Sequence, residues 1–220
     1  MKRLLLVLLS LTAPLEAQDW SVGAGGGAFV WGHFVKRTTT IATEDGTTRQ
    51  TVTLSATTRP GMALDIERRL GERFALRLEG SFARSPLGIK GTSRQDPAVT
   101  ISAGDIDVTA VTMPLVVRIN PRGTFRFHIM GGPAAAAYTI RIRPDAAGTI
   151  PLFRGTRNEW GAAAGAGMGW YPSDRFAIEA NALDINTSSP FRREDIGGLG
   201  TVEISRPHNL HTTIGIRYGF

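Results

Sequence analysis

Apolar side chains that recur at every second position have one regular home, a β-strand with an oily face and a polar face. This chain repeats that pattern along most of its length. In residues 74–82, Phe74, Leu76, Leu78 and Phe82 share one parity while Arg77, Glu79 and Ser81 take the other. The same alternation sets Met62, Leu64 and Ile66 against Asp65 and Glu67, and Val111, Met113, Leu115, Val117 and Ile119 against Thr112 and Arg118. It recurs in Phe125, Phe127 and Ile129 against Arg126 and His128. The final stretch is the clearest, with Leu210, Thr212, Ile214, Ile216, Tyr218 and Phe220 against His211, Thr213, Gly215 and Arg217. Together with 20–34, 159–171 and 175–185, the pattern predicts eight strands, and no extended 3.6-residue periodicity competes with it.

The connections alternate in length. Three are tight and built from turn formers: Gly71-Glu72, Asn120-Pro121-Arg122-Gly123 and Pro172-Ser173-Asp174. Four are long, at 38–58, 86–104, 143–158 and 187–205. Short turns on one side, long loops on the other, an even strand number and both ends on the short-turn side predict one fold class. It is an all-β, eight-stranded antiparallel up-and-down transmembrane β-barrel. A soluble ligand-binding barrel of the periplasm is the alternative, and periodicity alone does not choose, because the oily face points inward there and outward in a membrane.

The N-terminus bears on the choice. Lys2 and Arg3 precede an apolar run over 4–11 broken by Ser10, then Pro14 and the small Ala17. A run this short reads as a cleaved secretory signal peptide, not as a spanning helix. Residues 1–17 are assigned to the signal and 18–220 to a single barrel domain. The chain has no cysteine, so no disulfide framework supports it in an oxidising compartment. Its net charge of +6 calls for an anionic partner. Export argues against nucleic acid, which leaves a solvated rim of arginines or contact with outer-membrane lipid and lipopolysaccharide.

Aromatic residues support a membrane, because lipid-facing barrels gather them into two interfacial girdles. Trp20, Phe74, Phe125, Phe127, Trp170, Tyr171, Phe176, Tyr218 and Phe220 all neighbour a short turn or a chain end, and form one predicted belt. Trp160 and Trp170 share a parity and bracket Ala162, Ala164, Ala166 and Met168. Ten residues of strand tilted by about 40° rise roughly 25 Å, the height of the apolar band. The opposite, inward parity collects Asp65, Glu67, Glu79 and Glu179 against Arg77, Arg118, Arg126 and Arg217. Four acids facing four bases form a network that closes the narrow lumen of an eight-stranded barrel. Glycines over 21–27 and 161–169 are expected to make room for the long arginines. Pro114, Gly131-Gly132-Pro133 and the outward Asp184 break the scheme and are read as local register changes.

The segments Met113-Pro114-Leu115-Val116-Val117, Gly131-Gly132-Pro133-Ala134, Gly165-Ala166-Gly167-Met168-Gly169-Trp170 and Ile214-Gly215-Ile216-Arg217-Tyr218-Gly219-Phe220 resemble the small outer-membrane β-barrel family of OmpA-like and OmpX-like proteins. The resemblance covers nearly the whole of 18–220. It implies a bacterial outer-membrane location and a monomer. It also implies that Ile214, Ile216, Tyr218 and Phe220 form the terminal signal read by the barrel-assembly machinery. Such proteins anchor, adhere or resist host defences, so fold leaves the activity open; the expectation here is a structural or adhesive role without catalysis.

One rival reading is a lipid A acyl-modifying enzyme, whose candidates are His208 or His211 with Ser205 or Ser188 and Glu203. The Ser205–His208 spacing does not enforce a hydrogen-bonded nucleophile and base. Four scattered histidines give no metal-ligand spacing, and Gly23 to Gly27 lies in a strand without a following helix, so no metal or cofactor is expected. His128 is read as a lumen hydrogen-bonder. In loop 38–58, threonine-rich alternation flanks Glu44-Asp45-Gly46, a hairpin signal. The first two strands are therefore expected to continue above the membrane, where they offer a surface partner an edge to pair with.

Overall fold

The computed structural model describes residues 19–43, 46–92, 99–143, 153–195 and 201–220. The predicted signal segment 1–17 and its cleavage site lie outside the described residues, as do Glu44 and Asp45 of the expected hairpin turn.

Among the described residues, twelve strands are arranged as eight staves. The first stave joins β1 (Trp20–Trp31) to β2 (His33–Thr43), and the second joins β3 (Gly46–Ala56) to β4 (Arg59–Arg69). The third is β5 (Phe74–Thr92); the fourth joins β6 (Val99–Thr112) to β7 (Leu115–Arg118). Then come β8 (Phe125–Ile142), β9 (Gly155–Trp170) and β10 (Phe176–Thr187), and the last stave joins β11 (Thr201–Ile204) to β12 (His208–Gly219). Each stave pairs antiparallel with the next, and β12 closes the ring on β1 from Ser21↔Gly219 to Trp31↔Asn209. Closure satisfies the backbone groups that an open edge would leave bare in hydrocarbon.

The tight connections fall where expected. At one of them Gly123 adopts φ +103°, a conformation that side chains rarely allow. The long ones do not. Segments 38–58 and 86–104 are mostly strand: β2 pairs β3 from Val35↔Leu54 to Thr43↔Gly46, β3 pairs β5 from Thr51↔Thr92 to Ala56↔Leu87, and β11 pairs β2. The first two staves thus run on past the apolar band, as the threonine-rich pattern predicts. At about 3.3 Å per residue, the 19 residues of β5 span roughly 60 Å, far more than the roughly 25 Å band requires.

Side-chain direction follows parity. Leu64, Ile214 and Trp160 are exposed on the outer wall at 64%, 68% and 76%, and Leu210, Ile216, Tyr218 and Phe220 join them. His211 and Arg217 are buried inside. The parity then inverts toward the long-connection end. On β5, Ala83, Leu87 and Ile89 point inward and are buried, whereas Arg84 and Lys90 face outward. Where a stave leaves the lipid its outer face meets water, so the apolar residues move inside, as in a soluble barrel. Strand boundaries drawn from an apolar outer face stop at this inversion, which is why the loops were expected to be longer.

The expected register changes are absent. Thr112↔Ala134 in β6 and Leu115↔Gly131 in β7 keep one register with β8 across Pro114, and Pro133 pairs with Ala162 in an unbroken β8–β9 ladder. Proline therefore interrupts the strand without shifting it; Arg77 N–H donates to Pro114 O at 3.0 Å and Met113 N–H to Pro133 O at 3.0 Å. Asp184 stays in register opposite Leu210. The irregularities lie elsewhere, at His33/Val35 and at Leu87/Gly88.

Candidate functional site

Inward positions of β4, β5, β7, β10 and β12 bring most of the predicted charges together in the short-turn half of the lumen. Arg77, 1% exposed, donates to Glu67 Oε2 from Nε at 2.9 Å and Nη2 at 2.7 Å, and to Glu179 Oε2 from Nη2 at 3.0 Å. Arg118 donates to the other oxygen of Glu67. Arg217 pairs with Asp65 at 2.6 Å and with Glu179 at 3.1 Å, and donates to Ser21 Oγ at 3.0 Å. Three guanidiniums are interleaved with three carboxylates, so removing any member strands a buried charge.

Two of the eight predicted charges stand apart. Glu79 lies 3.5 Å from His211 Nδ1, one level toward the long-connection end. Arg126 forms none of the ion pairs: its Nε donates to Gly123 O at 3.1 Å, and its guanidinium lies over the Tyr171 ring, 4.1 Å from the centroid. Arg126 sits near the turn, closer to the mouth than to the network. Tyr171, expected in the outer belt, faces the lumen and donates to Glu179 Oε1 at 2.6 Å. Its place beside the outward Trp170 is the signal that finds it, since adjacent strand residues point to opposite faces. His128 hydrogen-bonds Asn181 Oδ1 across the lumen at 2.8 Å.

Glycines make room inside, but not for arginines. A Cβ at Gly23 would stand 2.3 Å from Asp65 Oδ2, and one at Gly167 would stand 2.2 Å from Asn181 Oδ1 and 2.5 Å from His128 Nε2.

The other half of the lumen is apolar, which the charge pattern did not foretell. Phe29 stacks on His211 at 4.0 Å between ring centroids and on Trp31 at 5.7 Å. Phe34 meets Tyr138 edge-on at 6.5 Å and Phe191 at 5.7 Å. Tyr138 O–H is tied to Thr187 Oγ1 at 2.6 Å and accepts from Asn209 Nδ2 at 2.8 Å. Phe191 arrives on a segment anchored by Arg157 to Asp195, with Nη2 to Oδ1 at 2.8 Å, and by Arg192 to Glu159. The inward parity of β5, β6 and β8 past residues 83, 110 and 134 carries this core in the sequence as Ala, Val, Ile, Leu and Tyr.

The candidate catalytic residues do not assemble. His208 and His211 lie on opposite faces of β12. His208 is on the outer wall against Asp184 Oδ2, 2.8 Å away, and next to Asn186, while His211 is inside. Ser188 bonds through its backbone to Trp160, Ser205 through its backbone to Phe34, and Glu203 pairs in register with Lys36. Among the described residues no cluster of three or more His, Asp or Glu is placed to hold a metal ion.

No protein-family model and no curated protein sequence matches the chain. Solved structures do. The outer membrane protein OprG from Pseudomonas aeruginosa superposes with a TM-score of 0.62 at 14% identity, over 93% of this chain and 96% of that one. The outer membrane protein AlkL, solved in lipid bilayers, gives a TM-score of 0.51 at 13% identity, over 95% of this chain and 93% of that one. With its closed ring of eight staves and its apolar outer wall, the chain has the fold of the small outer-membrane β-barrel proteins.

Proposed function

We propose that this protein is exported by a cleaved signal peptide to the bacterial outer membrane. There it serves as a plugged, non-catalytic barrel with a structural or adhesive surface role. One observation carries the reading. The lumen is occupied along its length by two unlike fillings, the buried ion network of Arg77, Arg118 and Arg217 at one level and the aromatic core of Phe29, Phe34, Tyr138 and Phe191 at the other. An eight-stranded barrel is just wide enough for side chains to fill it, so these two levels close the lumen beyond its short-turn mouth.

The part that protrudes supports a surface role. The β2–β3–β5 ladder continues above the apolar band, and beside it the outer wall of β5, β6 and β8 carries Arg84 and Arg141 on either side of Asp107, at 2.7 and 2.6 Å. These half-exposed guanidiniums suit contact with anionic lipopolysaccharide, and the strands of 38–58 suit pairing with a surface partner. The outward Leu64, Ile214 and Ile216 argue against the soluble-barrel alternative.

Planar-bilayer recording tests the plug. The expected record is a membrane whose conductance stays at baseline as protein is added. A large, steady current would contradict the proposal.

A further inference from the structure

At the short-turn mouth the lumen opens into a cavity of about 550 Å³, a size that accommodates a small organic ligand. Its lining carries six arginines against the carboxylates of Asp19, Glu67, Glu72 and Asp174. Much of this charge is already committed. Arg217 belongs to the ion network, Arg122 pairs with Glu72 at 3.0 Å on the exposed rim, and Glu67 accepts from both Arg77 and Arg118.

Among the lining arginines that keep donor capacity, Arg118 and Arg126 stand together on one wall. Arg118 is 6% exposed, and its Nη1 has no acceptor among the described residues. Arg126 spends only Nε, on Gly123 O, and rests its flat face on Tyr171, which leaves its outer N–H groups unused. The two are diagonal neighbours on one face of the β7–β8 ladder, because Arg118 stands opposite His128 and Arg126 lies two residues further along. Such positions place their Cα atoms about 7–8 Å apart, close enough for two guanidiniums to converge on one anion.

We propose that this cavity binds a phosphate-bearing molecule, its phosphate group held between Arg118 and Arg126. A phosphate monoester brings close to two negative charges and three terminal oxygens to two guanidiniums, whereas a carboxylate brings one charge and two oxygens. The inference goes beyond the structural role proposed above and holds whether or not the barrel conducts.

The test is isothermal titration of the full-length mature protein in detergent at fixed ionic strength, with inorganic phosphate, glycerol 3-phosphate and succinate as probes. Saturable binding of both phosphates is expected, with succinate at least tenfold weaker. Arg126→Gln, which breaks no ion pair, is expected to weaken phosphate at least tenfold, while Arg122→Gln on the rim changes it less than twofold. Competition with short-chain phosphatidylglycerol separates the sources: displacement assigns the site to a lipid headgroup, and no displacement assigns it to a soluble phosphate ester. Absence of saturable binding, equal affinity for succinate, or an unchanged Arg126→Gln protein would overturn the proposal.

Discussion

Arg77 concentrates the energetics of the lumen in one side chain. It is fully enclosed and bonded to two carboxylates, with Asp65 a further 3.9 Å away. Replacing it with methionine keeps much of the volume but leaves Glu67 and Glu179 short of a partner. Arg77→Met is therefore expected to cost about 3–5 kcal/mol, the usual penalty for orphaning a buried charge, and urea unfolding in detergent measures it. A cost near zero would mean that water reaches the network. Parity alone placed Arg77, Arg118, Arg217, Glu67, Glu179 and Asp65 on one surface, and the structure joins them there. It did not reveal height along the barrel. That is why Arg126, close to its turn, is grouped with charges it does not touch; Tyr171 instead needs the parity rule applied past the outward Trp170.

At the scale of the strand, the seam between β1 and β12 depends on glycine for its close approach. A Cβ on Gly27 would sit 1.7 Å from the backbone oxygen of Thr212, and one on Gly215 would sit 2.4 Å from that of Ala24. Backbone has no rotamer with which to yield, so Gly27→Ala must move a strand. A loss of about 1–3 kcal/mol is expected, as for other overpacked sites, read as a lower temperature for the heat-dependent gel shift. Gly80→Ala, where an added Cβ meets nothing within 4 Å, is the matched control and should leave that temperature unchanged. Staves were legible wherever one face was oily and the other charged. Their extensions were not, because past Ala83 and Val108 the oily face turns inward, and a search for an apolar outer wall ends there. Pro114 was misread for a related reason: its missing donor is visible in the sequence, but the flanking pairs that hold the register across it are not.

Taken as a whole, the molecule is a barrel with two environments outside and two inside. Lipid-facing side chains surround the ion network in the short-turn half, and water-facing ones surround an aromatic core in the other half. The absence of cysteine makes this arrangement directly measurable, since any single introduced cysteine takes a spin label alone. The decisive experiment labels Leu64→Cys, Ile214→Cys and Arg84→Cys in reconstituted vesicles and compares relaxation by oxygen, which partitions into hydrocarbon, with relaxation by a water-soluble nickel chelate. Labels at 64 and 214 should respond to oxygen and be shielded from nickel, while the label at 84 should show the reverse. Strong nickel access at 64 and 214 would contradict a membrane-spanning outer wall.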